Sequence, residues 1–143
     1  MRVAVIGAGA SGLATAREFR DRGHAVQVFE QGERAGGVWA FDPKVEDDLL
    51  GLQPSKRIYS SLYDQLRTNL PSDLMAFKGF PFSSAGGGDD DWPRFPHHTS
   101  VQKYLMRFIE TYQLSPLIRY DAKVTRVVRD ERWLVEVESE APE

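Results

Sequence analysis

Three glycines and one acidic residue near the N-terminus have the spacing of a nucleotide-binding turn. Gly7, Gly9 and Gly12 follow a short apolar run, and Glu30 comes about 20 residues later. Because glycine has no Cβ atom, the backbone at Gly9 can approach a pyrophosphate, and Gly12 allows close packing of a helix on the preceding strand. A carboxylate at Glu30 can accept both ribose hydroxyls and would repel a 2′-phosphate. The chemistry indicated is binding of FAD or NAD rather than NADP.

The elements that must position these residues follow from the hydrophobic pattern. The apolar run Val3–Ile6 is typical of a central parallel strand that is covered on both faces. Helical periodicity predicts a helix over Ser11–Arg22, whose N-terminal N–H groups and dipole attract phosphate. Ala25–Phe29 is the second strand and leads to Glu30. The predicted contacts of the dinucleotide are Gly7, Ala8, Gly9, Ala10, Ser11, Gly12 and Glu30.

A second glycine pair follows the acidic residue directly. Gly36, Gly37 and Trp39 stand where an NAD dehydrogenase would continue into its next crossover helix. The segment resembles the E-x-x-x-x-x-G-G-x-W segment of the flavin-containing monooxygenases. In that family the glycine backbone passes the flavin diphosphate, so the resemblance implies FAD contacts at Gly37, Val38 and Trp39. Taken alone, the segment could also be a glycine turn beside a core tryptophan.

The resemblance continues through most of the chain, and the motifs are most similar to those of the plant sulfur-oxygenating branch. Matching positions include the Y-x-x-L-x-T-N-x-P, M-x-F-x-x-F-P-F and aromatic-Pro-x-His stretches, represented here by Tyr63, Leu66, Thr68, Asn69, Pro71, Met75, Phe77, Phe80, Pro81, Phe82, Phe95, Pro96 and His98. The resemblance implies further cofactor contacts at Thr68, Asn69 and Leu70. By resemblance to flavoproteins with two dinucleotide-binding domains, the backbone of Val124 meets the adenine ring.

The activity that the resemblance implies is that of an NADPH-dependent flavin monooxygenase of the N,N-dimethylaniline monooxygenase type. NADPH reduces FAD, the reduced flavin takes up dioxygen, and the flavin hydroperoxide oxygenates a soft sulfur or nitrogen nucleophile. Asn69 is the expected catalytic residue, with a hydrogen bond near the flavin that protects the hydroperoxide. A simple turn asparagine is the alternative for this residue. The expected cofactors are FAD and NADPH, with NADPH bound mainly by sequence that is not present.

The predicted fold is an α/β Rossmann-like FAD-binding domain of the two-dinucleotide-binding type, incomplete, in which residues 1–143 form the N-terminal part. Loops are expected over 42–61 and over the Gly/Asp tract 85–91. Thr99 is predicted to open a helix through a capping box with Gln102. A small β meander near the C-terminus is predicted from Leu117–Tyr120, Lys123–Arg129 and Trp133–Glu138.

The length of 143 residues leaves alternative functions open. Flavin monooxygenases are several times longer and carry an NADPH-binding domain that this chain lacks. The chain is therefore expected to be inactive alone, as a fragment, a truncated product, or one part of a split enzyme with a complementary C-terminal chain. The alternatives are an NAD-dependent dehydrogenase domain, which the second glycine pair argues against, and a truncated, non-catalytic nucleotide-binding module.

Composition excludes several other classes of function. Because the sequence has no cysteine, it has no disulfide framework and no thiolate metal site. Its net charge of −3 does not indicate a basic surface for nucleic acid. His97 and His98 are neighbours that point apart, so we predict polar packing and no metal site. The N-terminal apolar run superficially copies a signal peptide, but the glycine spacing explains it better, and it is too short to span a membrane. A cytoplasmic enzyme that takes a small molecule and dioxygen is expected.

Overall fold

The computed structural model describes residues 1–43, 52, 62–85 and 92–139. The predicted loops over 42–61 and 85–91 therefore lie mostly outside the described residues. The chain divides into two compact units, one formed by Met1–Ala35 and Tyr112–Glu143 and the other by Gly36–Thr111. In the part of the chain that the structure describes, no helix is long and apolar enough to cross a membrane.

The first unit contains a parallel sheet. Strand β1 is Arg2–Ile6, β2 is Ala25–Phe29, and β3 is the short segment Ile118–Arg119. Their order in the sheet is β1-β2-β3. Helix α1, Ala10–Asp21, forms the crossover between β1 and β2. The predicted order of strand, glycine turn, helix and strand is confirmed, with each boundary within one residue of the expected position.

One face of this sheet is covered by α1. Leu13 and Ala16 of the helix and Val28 of β2 are fully buried there, and Val5 of β1 is nearly so. The opposite face carries Ala4, which is exposed, and Ile6, which is 58% exposed. The prediction that β1 is covered on both faces is therefore wrong for this chain, because α1 packs against the side chains of alternate residues only.

The C-terminal strands form an antiparallel hairpin in which β4 is Ala122–Arg129 and β5 is Trp133–Ser139. A β-bulge lies between Val124 and Arg126. The last two strands of the predicted meander are confirmed. The first one, β3, belongs to the parallel sheet instead, since Ile118 pairs with Val28 of β2.

The second unit is built around a helix that follows two shorter ones. Helix α2 is Ser72–Met75, α3 is Phe82–Ala85, and α4 is His98–Thr111. The apolar face of α4 is buried through Val101, Tyr104, Leu105, Phe108 and Ile109. The ring of Tyr104 stacks on Phe82 at 4.0 Å between centroids, and its hydroxyl donates to the Phe80 carbonyl at 2.7 Å.

The start of α4 differs from the predicted capping box. The His97 carbonyl accepts the Ser100 N–H at 2.9 Å, so His97 occupies the N-cap position and Thr99 lies inside the first turn. The Thr99 hydroxyl bonds to His97 Nδ1 at 2.9 Å. The prediction of a capping box with Gln102 was wrong because α4 begins at His98, two residues before Ser100, where a helix capped by Thr99 would start.

Candidate functional site

The turn between β1 and α1 presents backbone N–H groups to an anion. Gly7 has a φ of +90°, a conformation that favours glycine, and its N–H donates to the Phe29 carbonyl at 2.7 Å. Gly9 is the N-cap of α1, which has no side-chain cap and no acidic residue in its first turn. The free N–H groups of the first turn and the positive end of the helix dipole are therefore available to a phosphate.

Gly12 fixes how closely α1 approaches that turn. A Cβ atom at this position would lie 2.0 Å from the carbonyl oxygen of Gly7. Since this contact is with backbone, no side-chain movement could relieve it. Gly12 is the close-packing glycine that the spacing predicted, and the cradle at the helix N-terminus fits a dinucleotide diphosphate.

Glu30 lies at the carboxyl end of β2 and is 8% exposed. Its Oε2 accepts the Ala8 N–H at 2.7 Å, and its Oε1 accepts the Gly32 N–H at 2.9 Å. The carboxylate thus fixes two turns in addition to the ribose role predicted for it. Each carboxylate oxygen has a second lone pair that can accept a ribose hydroxyl.

Two strands from the C-terminal part of the first unit reach Glu30. The Glu30 N–H donates to the Arg119 carbonyl at 2.8 Å, and the Ala122 N–H donates to the Glu30 carbonyl at 2.9 Å. Val124 is half-buried two residues farther along β4, opposite Val137. The structure therefore places the predicted adenine-contacting strand next to the predicted ribose-binding acid.

Tyr120 is a member of this site that the sequence analysis did not single out. Burial raises the pKa of its phenol, and the negative charge of Glu30 raises it further, against a hydrogen bond from the Ala35 backbone. Tyr120 follows β3 directly, and the pairing of β3 with β2 brings it near Glu30, which follows β2. An aromatic residue at a strand end carries no motif, so no signal in the sequence identified it.

The second glycine pair, in the other unit, forms a 3₁₀ turn over Gly37–Trp39. Gly36 and Gly37 have φ values of +132° and +57°. The positive φ of Gly36 favours glycine, and a Cβ atom there would meet the flexible end of the Gln102 side chain of α4. Gly37 and Val38 are exposed and Trp39 is half-buried, which leaves the turn accessible to a ligand.

The segment around Asn69 is held by two hydrogen bonds from Thr68, one from its backbone and one from its side chain. The Thr68 N–H donates to the Pro96 carbonyl at 2.9 Å, and the buried Thr68 hydroxyl donates to the Leu70 carbonyl at 2.8 Å. Asn69 and Leu70, which follow Thr68, are exposed. Thr68 therefore stabilises the turn, while Asn69 is exposed.

The two histidines before and at the start of α4 contribute to the same unit as polar packing residues. Nε2 of His97 and Nε2 of His98 both donate to the Asp64 carbonyl, at 2.6 Å and 3.0 Å, and their ring centroids lie 4.2 Å apart. The prediction that the two side chains point apart is therefore wrong, because both turn toward the same backbone acceptor. His98 is 1% exposed and its ring packs on Phe41. Among the described residues, no group of three or more side chains is arranged to hold a metal ion.

Comparison with known proteins gives consistent results across most of the chain. The model of a family described as flavin-binding monooxygenase-like matches residues 1–136. Flavin-containing monooxygenase FMO GS-OX-like 7 of Arabidopsis thaliana is 48% identical over 127 residues, which cover 87% of this chain and 27% of the relative. The chain therefore spans less than a third of that relative's length.

Solved structures show the same similarity in three dimensions. S-allyl-L-cysteine S-oxygenase from Allium sativum superposes with a TM-score of 0.87 at 39% identity, over 97% of this chain and 32% of that enzyme. An oxidised steroid monooxygenase bound to NADP superposes with a TM-score of 0.72 at 26% identity, over 95% of this chain and 23% of that one.

Proposed function

This chain belongs to the flavin-binding monooxygenase-like family, and we propose that it is the FAD-binding part of an NADPH-dependent flavin monooxygenase. The observation that carries the proposal is the cradle at the N-terminus of α1. Gly12 packs where any side chain would meet the Gly7 carbonyl, and no acidic residue opposes an anion in the first turn. These features suit a diphosphate that is bound by backbone N–H groups.

In this proposal the first unit binds the adenosine diphosphate half of FAD. Its contacts are Gly7, Ala8, Gly9, Ala10, Ser11, Gly12, Glu30 and Val124. Support comes from the hydrogen bond that links Glu30 to the glycine turn and from the bond that links Glu30 to the start of β4. The carboxylate would accept ribose hydroxyls with its remaining lone pairs.

The second unit contributes the residues proposed to lie beside the flavin, which are Gly37, Val38, Trp39, Thr68, Asn69 and Leu70. Their support is the exposure of Gly37, Val38 and Asn69 on turns that are each fixed by internal packing. Asn69 is the proposed catalytic residue. Its side-chain amide would donate a hydrogen bond that keeps oxygen transfer coupled to the consumption of NADPH.

The chemistry of the reaction would come mainly from the cofactor. Bound FAD would accept electrons from NADPH and activate dioxygen for transfer to a soft sulfur or nitrogen atom. A sulfur substrate is favoured because the Allium sativum neighbour is an S-allyl-L-cysteine S-oxygenase. The proposed enzyme class, the N,N-dimethylaniline monooxygenase type, is broader and includes nitrogen substrates. A steroid monooxygenase neighbour has NADP bound, which supports NADPH as the reductant.

The proposed domain organisation assigns residues 1–143 to the N-terminal part of the FAD-binding domain. The NADPH-binding domain would be supplied by a polypeptide that corresponds to the remaining length of the relatives. This chain alone would not convert substrate. We place the enzyme in the cytoplasm. The chain has no cysteine and therefore does not depend on an oxidising compartment in which disulfides form.

A chimera tests this function. The aligned part of this chain would replace the matching 127 residues of the Arabidopsis relative. We expect NADPH oxidation that is coupled to oxygenation of methyl p-tolyl sulfide, with N,N-dimethylaniline as the competing nitrogen substrate. A chimera that binds FAD and oxidises NADPH but oxygenates neither compound would contradict the substrate assignment, and one that folds without FAD would contradict the proposal itself.

A further inference from the structure

The start of α4 holds the chain segment that precedes Asn69. Nε2 of His98 donates to the Asp64 carbonyl at 3.0 Å, and the His98 N–H donates to the Leu66 carbonyl at 3.1 Å. The His97 ring is a second donor to the same Asp64 oxygen, at 2.6 Å. A carbonyl oxygen has two lone pairs, so one acceptor can serve both rings. The two histidines thus make three hydrogen bonds to this segment.

Backbone bonds continue this attachment on both sides of Asn69. The Thr68 N–H donates to the Pro96 carbonyl at 2.9 Å, and the Ser72 N–H donates to the Arg94 carbonyl at 2.8 Å. Both acceptors lie in the segment that leads into α4. Asn69 lies between the two bonded residues, so the position of its turn depends on the N-terminal end of α4.

The His98 ring also contacts the segment that follows the second glycine pair. Its centroid lies 4.9 Å from the ring centroid of Phe41, a separation typical of a packed aromatic pair. The Phe41 N–H donates to the Trp39 carbonyl at 3.1 Å, so this phenylalanine is joined to the turn Gly37–Trp39. One imidazole therefore contacts both segments that contain residues proposed to lie beside the flavin.

Packing alone does not explain a histidine at position 98. His98 is 1% exposed, and its Nδ1 is buried without a hydrogen-bond partner among the residues that the structure describes. A buried polar atom without a partner lowers the stability of a fold, whereas a phenylalanine would fill similar space without such an atom. The favourable contribution that distinguishes histidine here is the directed bond from Nε2 to the Asp64 carbonyl.

We propose that His98 is a positioning residue that fixes the placement of the Asn69 turn relative to the turn Gly37–Trp39. The inference rests on the function proposed above, in which both turns lie beside the flavin. A group that acts through a hydrogen bond is sensitive to small displacements. Loss of the His98 bond therefore lowers the coupling of NADPH consumption to oxygenation before it lowers FAD binding.

Amide hydrogen exchange of the whole chain tests the placement without any turnover. His98→Phe keeps an aromatic ring of similar volume and removes the donor to the Asp64 carbonyl. We expect the Thr68 and Ser72 amides of this variant to exchange at least about tenfold faster than in wild type. The amide of Leu105, in the middle of α4, should change much less.

His97→Phe is the matched control, because it removes a donor to the same Asp64 carbonyl from a ring that is only half-buried. Water can replace a hydrogen bond at an accessible position, so we expect exchange at Thr68 and Ser72 to stay close to that of wild type. Equal exchange in wild type and His98→Phe, or equal acceleration in both histidine variants, would overturn the proposal.

The same change in the chimera with the Arabidopsis relative tests the effect on the reaction. For His98→Phe we expect unchanged FAD content, an unchanged KM for methyl p-tolyl sulfide, and at least about a threefold lower ratio of sulfoxide formed to NADPH oxidised. His98→Gln should restore that ratio, because its amide nitrogen can take the place of Nε2 as a donor. A normal ratio in His98→Phe, or a ratio in His98→Gln as low as that in His98→Phe, would contradict the positioning role.

A second pair of variants decides the outcome if His98→Phe does not fold. The amide of His98→Asn is one methylene shorter than that of His98→Gln and should not reach the Asp64 carbonyl. We expect fast exchange at Thr68 and Ser72 only in the asparagine variant, and equal exchange in the two variants would refute the proposal. A chimera that binds no FAD would contradict the proposed function, whereas exchange in the chain alone would still decide whether His98 positions the turn.

Discussion

The carboxylate of Glu30 holds the backbone of Ala8 through a buried hydrogen bond of 2.7 Å between Oε2 and the Ala8 N–H. The turn after β1 and the turn after β2 are thus joined by one side chain, which also bonds the Gly32 N–H. The residue proposed to select the ribose therefore also shapes the glycine turn proposed to bind the diphosphate.

Replacement of Glu30 separates these two roles. Glu30→Ala leaves the Ala8 N–H without its acceptor, so we expect the free energy of unfolding to fall by about 1–3 kcal/mol. Glu30→Gln keeps one acceptor oxygen and should lose less stability, yet it should bind FAD more weakly because the charge-assisted bonds to ribose are lost. Urea unfolding and FAD titration measure the two effects. Equal stability and equal FAD affinity in all three proteins would remove Glu30 from both roles.

Gly12→Ala should abolish the close approach of α1 to the glycine turn. Its Cβ would lie 2.0 Å from the Gly7 carbonyl, and we expect a loss of about 3 kcal/mol together with loss of FAD binding. Gly32→Ala is the matched control, because its Cβ would meet Glu30 Oε1 at an ordinary 3.5 Å. Thermal unfolding compares the two variants, and similar stability of Gly12→Ala and Gly32→Ala would show that the packing described for Gly12 is wrong.

Asn69→Ala should uncouple a complete enzyme rather than unfold it. Asn69 is exposed, and the turn beside it depends on the Thr68 hydroxyl, so the backbone should be retained. In the chimera with the Arabidopsis relative, we expect FAD content to be unchanged and most of the NADPH consumed to appear as hydrogen peroxide. The ratio of sulfoxide formed to NADPH oxidised measures this coupling. An unaltered ratio would exclude Asn69 from the reaction.

Tyr120 should make the stability of the chain sensitive to alkaline pH. Its pKa in the folded chain is raised above 10.0 by burial and by the charge of Glu30, so the folded state retains a proton that the unfolded state releases. This stabilising contribution is present below the unfolded pKa and is lost as the pH rises through the folded value. Between about pH 9 and about pH 12, wild type should lose stability faster than Tyr120→Phe. Parallel pH dependence in the two proteins would contradict the assignment.

The parts of the fold that could be predicted from sequence are those with local signals. Glycine spacing and apolar runs located β1, α1 and β2, because a phosphate-binding turn constrains residues that are near one another in sequence. The structural role of Glu30 toward Ala8 could not be predicted, because it depends on how the turns after β1 and β2 lie next to each other. The position of Tyr120 could not be predicted either, because it depends on the pairing of β3 with β2. The covering of β1 was mispredicted because an apolar run indicates that a strand favours burial and does not show that only one face of it is covered by α1.

The measurement that tests the central claim most directly is the visible absorption spectrum of the chain after refolding with FAD, beside a chromatographic assay of the nucleotide retained after separate refolding with NAD. We predict that flavin absorbance remains with the wild-type chain after gel filtration, alone or with the complementary polypeptide, and that it is lost in Gly12→Ala. A folded chain that retains NAD and no flavin would contradict the account and would identify a dehydrogenase domain. Retention of neither cofactor, even with the complementary polypeptide, would identify a module without a role in flavin chemistry.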